Sequence, residues 1–142
     1  MPDAERFELP VTVRPADIDD LGHVNNVVYV RWVQDAAIAH WQSRATAAAR
    51  ERLFWVVARH EIDYLRPAFL DDDIIARTWV GTATRLQFDR HTELVRASDR
   101  KRLVRARTVW VPVDRETLRP TEVGPEIRKR WSVSEGPDGA SG

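Results

Sequence analysis

One segment of this chain repeats its apolar residues at helical spacing, while almost every other segment repeats them at spacing two. From near Val27 onward, Val30, Val33, Ala37 and Trp41 recur three and four residues apart, and Arg31, Gln34 and Asp35 fall elsewhere. Ala-rich sequence continues through Thr46–Arg50, so a helix of roughly 20 residues is predicted, about 30 Å long at 1.5 Å per residue. Asn25 or Asn26 supplies its N-cap. A lone helix of that length must bury its stripe on something, and the strands on either side are what the chain offers.

Before the helix, Phe7, Leu9, Val11 and Val13 alternate with Glu8, Thr12 and Arg14 until Pro15 ends the ladder. After it come Trp55–Leu65, with Val56, Ala58, His60, Ile62 and Tyr64 expected on one face, and Ile74–Val80, which Gly81 breaks. A fourth strand runs from Leu86 and Phe88 to about Val95. Ala97–Lys101 is a hairpin turn and Leu103–Val113 the fifth strand. Arg115 to Trp131 reads as a turn and an irregular or briefly helical segment. Residues 1–131 are expected to form one domain and 132–142 a disordered tail. The order β-α-β-β-β-β predicts an α+β architecture, an antiparallel sheet with the helix on one face. A sheet with free edges wants a partner.

Composition narrows the chemistry. Lys and Arg total 22, Asp and Glu also 22, so the formal charge of zero argues against nucleic acid as the main partner. With no cysteine, disulfides, thiolate zinc sites and cysteine nucleophiles are excluded. The start, MPDAERFELP, has no signal-peptide core, and no apolar run is long enough for a bilayer, so a cytoplasmic protein without a membrane partner is expected. There is no GxSxG elbow, no Gly-rich phosphate loop, and no metal-ligand spacing among His23, His40, His60 and His91. No metal and no cofactor are expected. Carboxylate chemistry remains.

That chemistry concentrates in Asp17–Tyr29, DIDDLGHVNNVVY. Period two puts Asp17 and Asp19 on one side of an extended segment, so only one is expected to face a pocket usefully. An ionised carboxylate acts as a base toward water or as a nucleophile, and unpaired N–H groups at the positive end of a helix polarise a carbonyl. A thioester, more electrophilic than an ester or amide, is the natural target. Gly22 lets the backbone approach it. The competing reading is a capped helix behind a solvated turn.

The pattern D-x-D-x-x-G-H-V-N-N-x-x-Y, filled by Asp17, Asp19, Gly22, His23, Val24, Asn25, Asn26 and Tyr29, resembles the hotdog-fold acyl-CoA thioesterases. It looks most like their 4-hydroxybenzoyl-CoA thioesterase-like branch. Ile62-Asp-Tyr64-Leu-Arg-Pro67-Ala and the acidic turn Asp71–Asp73 extend the likeness, which spans about Phe7 to Val113. The resemblance implies a curved antiparallel sheet of about five strands wrapped around one long central helix. It implies a homodimer, often paired into a tetramer, with active sites at the subunit interface. The implied reaction is hydrolysis of an acyl-CoA to a carboxylic acid and free CoA. Asp17 matches the catalytic carboxylate, and Gly22, His23, Val24 and Asn25 match the carbonyl-polarising loop. Tyr29 either lines the acyl pocket or packs in the core. Asp35 is a reserve carboxylate, and Gln34 stands where many relatives carry Glu. His60 is a core histidine first and a pocket wall second. The basic run Arg96–Arg107 either holds CoA phosphates or forms a charged outer strand face. Two rivals stay open: a hydratase or dehydratase on acyl thioesters, and a non-catalytic acyl-CoA sensor or assembly subunit.

Overall fold

The computed structural model describes residues 6–135 of the chain. The helix expected from the apolar spacing is α1 (Asn26–Arg44), 19 residues long. It is preceded by β1 (Phe7–Thr12) and a short 3₁₀ turn at Pro15–Asp17, and followed by α2 (Ala47–Arg52). Then come β2 (Leu53–Tyr64), β3 (Asp73–Ala83), β4 (Phe88–Arg96), β5 (Arg102–Asp114), α3 (Pro125–Trp131) and β6 (Ser132–Glu135). The helix does not run on to Arg50. Thr46 accepts the Ala49 N–H at 3.1 Å, and this cap starts a separate helix.

The sheet has the order β1-β3-β4-β5-β2, all antiparallel, with β6 lying parallel to β3. Its concave face closes on α1, whose buried residues come in pairs one turn apart: Val28 and Tyr29, Trp32 and Val33, Ala36 and Ala37, His40 and Trp41. This stripe is wider than the one expected, because the sheet reaches the helix from two sides. The first half of α1 packs against Val13, Ile74, Leu94 and Val104. The second half packs against Leu53, Val80, Phe88, Trp110 and Trp131. This is the α+β hotdog architecture.

The strands depart from the expected phases and bounds at several points. Strand β3 continues past Gly81 instead of ending there, because a bulge between Val80 and Thr82 absorbs the glycine. A second bulge, between Val57 and Arg59, shifts the phase of β2. Leu53, Trp55 and Val57 turn inward before it, His60 and Ile62 after it, while Val56 and Ala58 face out rather than sharing a face with His60. Residues 132–135, expected in an unstructured tail, form β6; residues 136–142 lie outside the described residues.

The two sheet edges differ. β1 carries Pro10, which removes a ladder donor. β2 is 12 residues long without a proline, and its outer edge is unpaired among the described residues. Phe54 and Val56 on β2 and Ile38 on α1 are exposed apolar side chains along that side. Among the described residues no helix is long and apolar enough to cross a membrane.

Candidate active site

Asp17 closes the 3₁₀ turn, with its backbone N–H bonded to Arg14 O at 2.9 Å. Its carboxylate turns inward: Oδ2 accepts the Arg14 N–H at 2.9 Å, and Oδ1 accepts from Arg31 Nη2 at 3.1 Å. The residue is only 4% exposed. Arg31, one turn into α1, is 54% exposed at its side chain, so the counter-charge sits on a residue that solvent reaches. Asp19 serves differently. Its carboxylate accepts the Leu21 N–H at 2.9 Å, its N–H donates to His23 O at 2.8 Å, and Gly22 closes the same turn with φ +81°. Of the two period-two carboxylates, Asp17 is the one carried against the helix start.

The backbone donors there are unequally available. Val24 N–H donates to Ala68 O at 3.0 Å, and Asn25 N–H to Asp17 O at 2.9 Å. The Val24 amide, expected to help polarise a carbonyl, is held by a long-range bond, and the residue is 2% exposed. Asn25 is the N-cap. Its side chain accepts the Val27 N–H at 3.0 Å and its carbonyl the Val28 N–H at 2.9 Å. Among the described residues, the N–H groups of His23 and Asn26 have no acceptor. At the helix start these two backbone donors are left without a partner.

Tyr29 is 3% exposed and accepts the Ala68 N–H at 2.9 Å through its hydroxyl. Burial pushes its phenol above the ordinary tyrosine value, so it stays protonated and ties the Ala68 loop to the helix. The ring of His23 packs edge-on to Phe69 at 5.4 Å. Asn25→Ala should cost about 1 kcal/mol of stability in a denaturant titration, whereas Asn25→Ser, which keeps the cap, should cost little. A loss of turnover in a fully stable Asn25→Ser variant would move this side chain from cap to substrate contact.

A cavity of about 460 Å³ opens between the second half of α1 and the first half of β2. Trp41, Trp55, Phe88 and Trp110 make aromatic walls, Gln34 stands at one end, and Arg90 is the buried cation among its lining residues. None of Asp17, Gly22, His23, Val24, Asn25 and Tyr29 lines it. Asp35, the reserve carboxylate, is exposed and also lies outside it. Sequence reading missed Arg90, although the signal was present: Phe88, Arg90, Thr92 and Leu94 share the inward phase of β4.

His60 meets Gln34 at 3.3 Å through Nε2 and Thr108 Oγ1 at 3.0 Å through Nδ1. Burial holds its pKa below the usual histidine value of 6.5, so the folded chain keeps it neutral where the unfolded chain takes up a proton. Stability from this group is therefore present above pH 6.5 and is lost as pH falls from there toward the lower folded-state value. His60→Gln should flatten the pH dependence of the unfolding free energy in that window. An unchanged slope would show that another group sets it.

The basic run on the outer strands is largely paired. Arg105 meets Asp63 at 2.8 Å, Arg107 meets Asp89 at 2.7 Å, and Arg102 meets Glu93 at 2.9 Å. Arg96 meets Asp72 at 3.2 Å and Asp99 at 2.9 Å. Among the described residues, no group of three or more His, Asp or Glu side chains is placed to hold a metal ion.

A family model described as "Thioesterase-like superfamily" matches residues 13–131. A thioesterase from Thermus thermophilus, complexed with coenzyme A and Zn, is 28% identical, with a TM-score of 0.76 over 88% of this chain and 90% of that one. A 1,4-dihydroxy-2-naphthoyl-CoA thioesterase from Synechocystis superposes with a TM-score of 0.76 at 18% identity, over 89% of this chain and 95% of that one. A DHNA-CoA thioesterase from Staphylococcus aureus gives 0.76 at 15% identity, over 88% and 87%. At those identities the last two share the fold alone. No curated protein matches the chain significantly.

Proposed function

Because this chain belongs to the thioesterase-like superfamily and is a thioester hydrolase, we propose that it cleaves acyl-CoA to a carboxylic acid and free CoA, with Asp17 as the catalytic carboxylate. The observation that carries this reading is one juxtaposition. A carboxylate held by Arg14 and Arg31 sits on a backbone bonded to the helix N-cap, and the His23 and Asn26 N–H groups beside that cap have no acceptor among the described residues. The thioester oxygen takes those donors, where the helix dipole favours negative charge. Asp17 takes a proton from water as the water oxygen attacks the carbonyl carbon. The C–S bond then breaks, and the proton returns to the leaving thiolate. Arg31 is displaced toward solvent to admit the substrate. The tie between carboxylate and donors is what favours hydrolysis over passive acyl-CoA binding.

In this reading the acyl group occupies the aromatic cavity of a second copy. The support is the free edge of β2. A two-fold antiparallel pairing of two β2 strands sets the Leu53–Val57 half of one against the His60–Tyr64 half of the other. Tyr64 touches Tyr29 near the helix start, with ring centroids 5.7 Å apart, so Asp17 of one copy approaches the cavity of its partner. We place this dimer in the cytoplasm. Thiol release over short, long, branched and aromatic acyl-CoAs, with enoyl-CoA hydration as a control, tests the function. Release without hydration is the expected result; binding without release would leave a sensor, and hydration alone a hydratase.

A further inference from the structure

The cavity wall has an unusual charge arrangement. Arg90 is 4% exposed, yet among the described residues no carboxylate reaches it. Its Nη1 donates to His40 Nδ1 at 3.0 Å and to Thr78 Oγ1 at 3.1 Å. Arginine has only donors, so His40 must present an unprotonated Nδ1 here. Nε and Nη2 make no bond to the described residues. Burial alone pulls the guanidinium down to about 9, so it remains a cation at neutral pH. A second cation, Arg115, also lines the cavity and stacks over Phe54 at 4.0 Å, and among the described residues no acidic side chain lines it. The indole N–H groups of Trp55 and Trp110, two of the aromatic walls, likewise find no acceptor among the described residues.

The side chains lining the wall thus carry two cations, and their only acceptors among the described residues are the neutral amide oxygens of Gln34 and Gln42. A buried cation without a counter-ion is costly, and burial beside an open cavity leaves room for that counter-ion to be a ligand. Aliphatic chains would leave Arg90 unpaired and take away what solvent it has. An oxyanion at the distal end of the acyl group would pair it through the Nε–Nη2 edge, the fork that suits a carboxylate. We propose that the acyl group ends in a carboxylate, so that the substrate is the half-thioester of a dicarboxylic acid and Arg90 is its specificity-determining residue. This rests on the hydrolase reading above for its reaction, though not for its binding.

The test compares chains matched in length: glutaryl-CoA with pentanoyl-CoA, and adipoyl-CoA with hexanoyl-CoA. Wild type should favour the carboxylate-ended member of each pair by roughly 10- to 100-fold in kcat/KM, the weight of one charge-assisted pair. Arg90→Met fills the same space without charge and should bring the ratio to one or below. Arg90→Lys should recover only part of it. Equal rates within each pair for wild type would overturn the proposal without recourse to any variant. If folded wild type hydrolyses no acyl-CoA, the hydrolase reading fails instead. Quenching of the cavity tryptophans by free adipate against hexanoate then decides the point: adipate binding lost in Arg90→Met supports it, and equal binding of the two acids refutes it.

Discussion

Asp17→Asn should lower thioester turnover by roughly 10²- to 10⁴-fold, the usual weight of a positioned general base, while the protein stays folded. Asparagine keeps an acceptor for the Arg14 N–H and preserves the shape of the turn. What it loses is the ion pair with Arg31, a partner 54% exposed at its side chain. Fully exposed pairs contribute only about 0–1 kcal/mol; here the Arg31 end is solvated and the neutral asparagine leaves no buried charge behind. Stability and activity should therefore separate: a small shift in thermal midpoint against a near-complete loss of thiol release. Single-turnover kinetics with excess enzyme provide the measurement, because they remove product release from the rate. A folded Asp17→Asn protein with wild-type single-turnover rates would exclude Asp17 as the catalytic group. A severe loss of stability instead would make Asp17 mainly the clasp of the Pro15–Asp17 turn.

The second large effect is expected on mixing two inactive proteins. Asp17→Asn lacks the carboxylate, and Val57→Trp blocks the cavity by adding bulk to one of its lining residues. If each site draws Asp17 from one copy and the cavity from the other, a mixed dimer contains one intact site and one doubly damaged site. With free exchange half of the dimers are mixed, so activity should return to roughly a quarter of the wild-type level. If both parts come from the same copy, no mixed dimer has an intact site and nothing returns. Incubating the variants together at low concentration, to allow exchange, and then assaying thiol release distinguishes the two arrangements. Failure of the mixture to regain activity, with exchange shown by mass spectrometry of the dimers, would overturn the shared site.

Much of the fold was legible because the chain separates its two periods cleanly. Val33, Ala37 and Trp41 announced a helix, and alternation in β3, β4 and β5 announced a sheet around it. The Asn25 cap was legible for the same reason: it depends on neighbours two and three residues away. What escaped depends on distant partners. The acceptor of the Val24 N–H is Ala68, more than forty residues later, and no local pattern signals that bond. The bulge near Ala58 inserts a single residue with no glycine to mark it, so the face of Val56 and Ala58 was read in the wrong phase. At Gly81 the glycine was visible, but a strand end and a bulge look alike in sequence, and pairing with Asp89 decides it. Arg90 was passed over because an inward arginine breaks the ordinary pattern of core residues.

The contrast between the two sheet edges limits how many copies can associate through strands. An edge interrupted by a proline makes a poor template for another strand, whereas β2 offers twelve residues without a proline. Among the described residues the sheet therefore has a valence of one. When two copies meet through β2, each uses that edge, and among the described residues no comparable edge is left for a third. Assembly by this route ends at a pair, where a chain with two open edges would grow into a fibre. If pairing runs through β2, a larger particle would have to be built by faces, helices or loops.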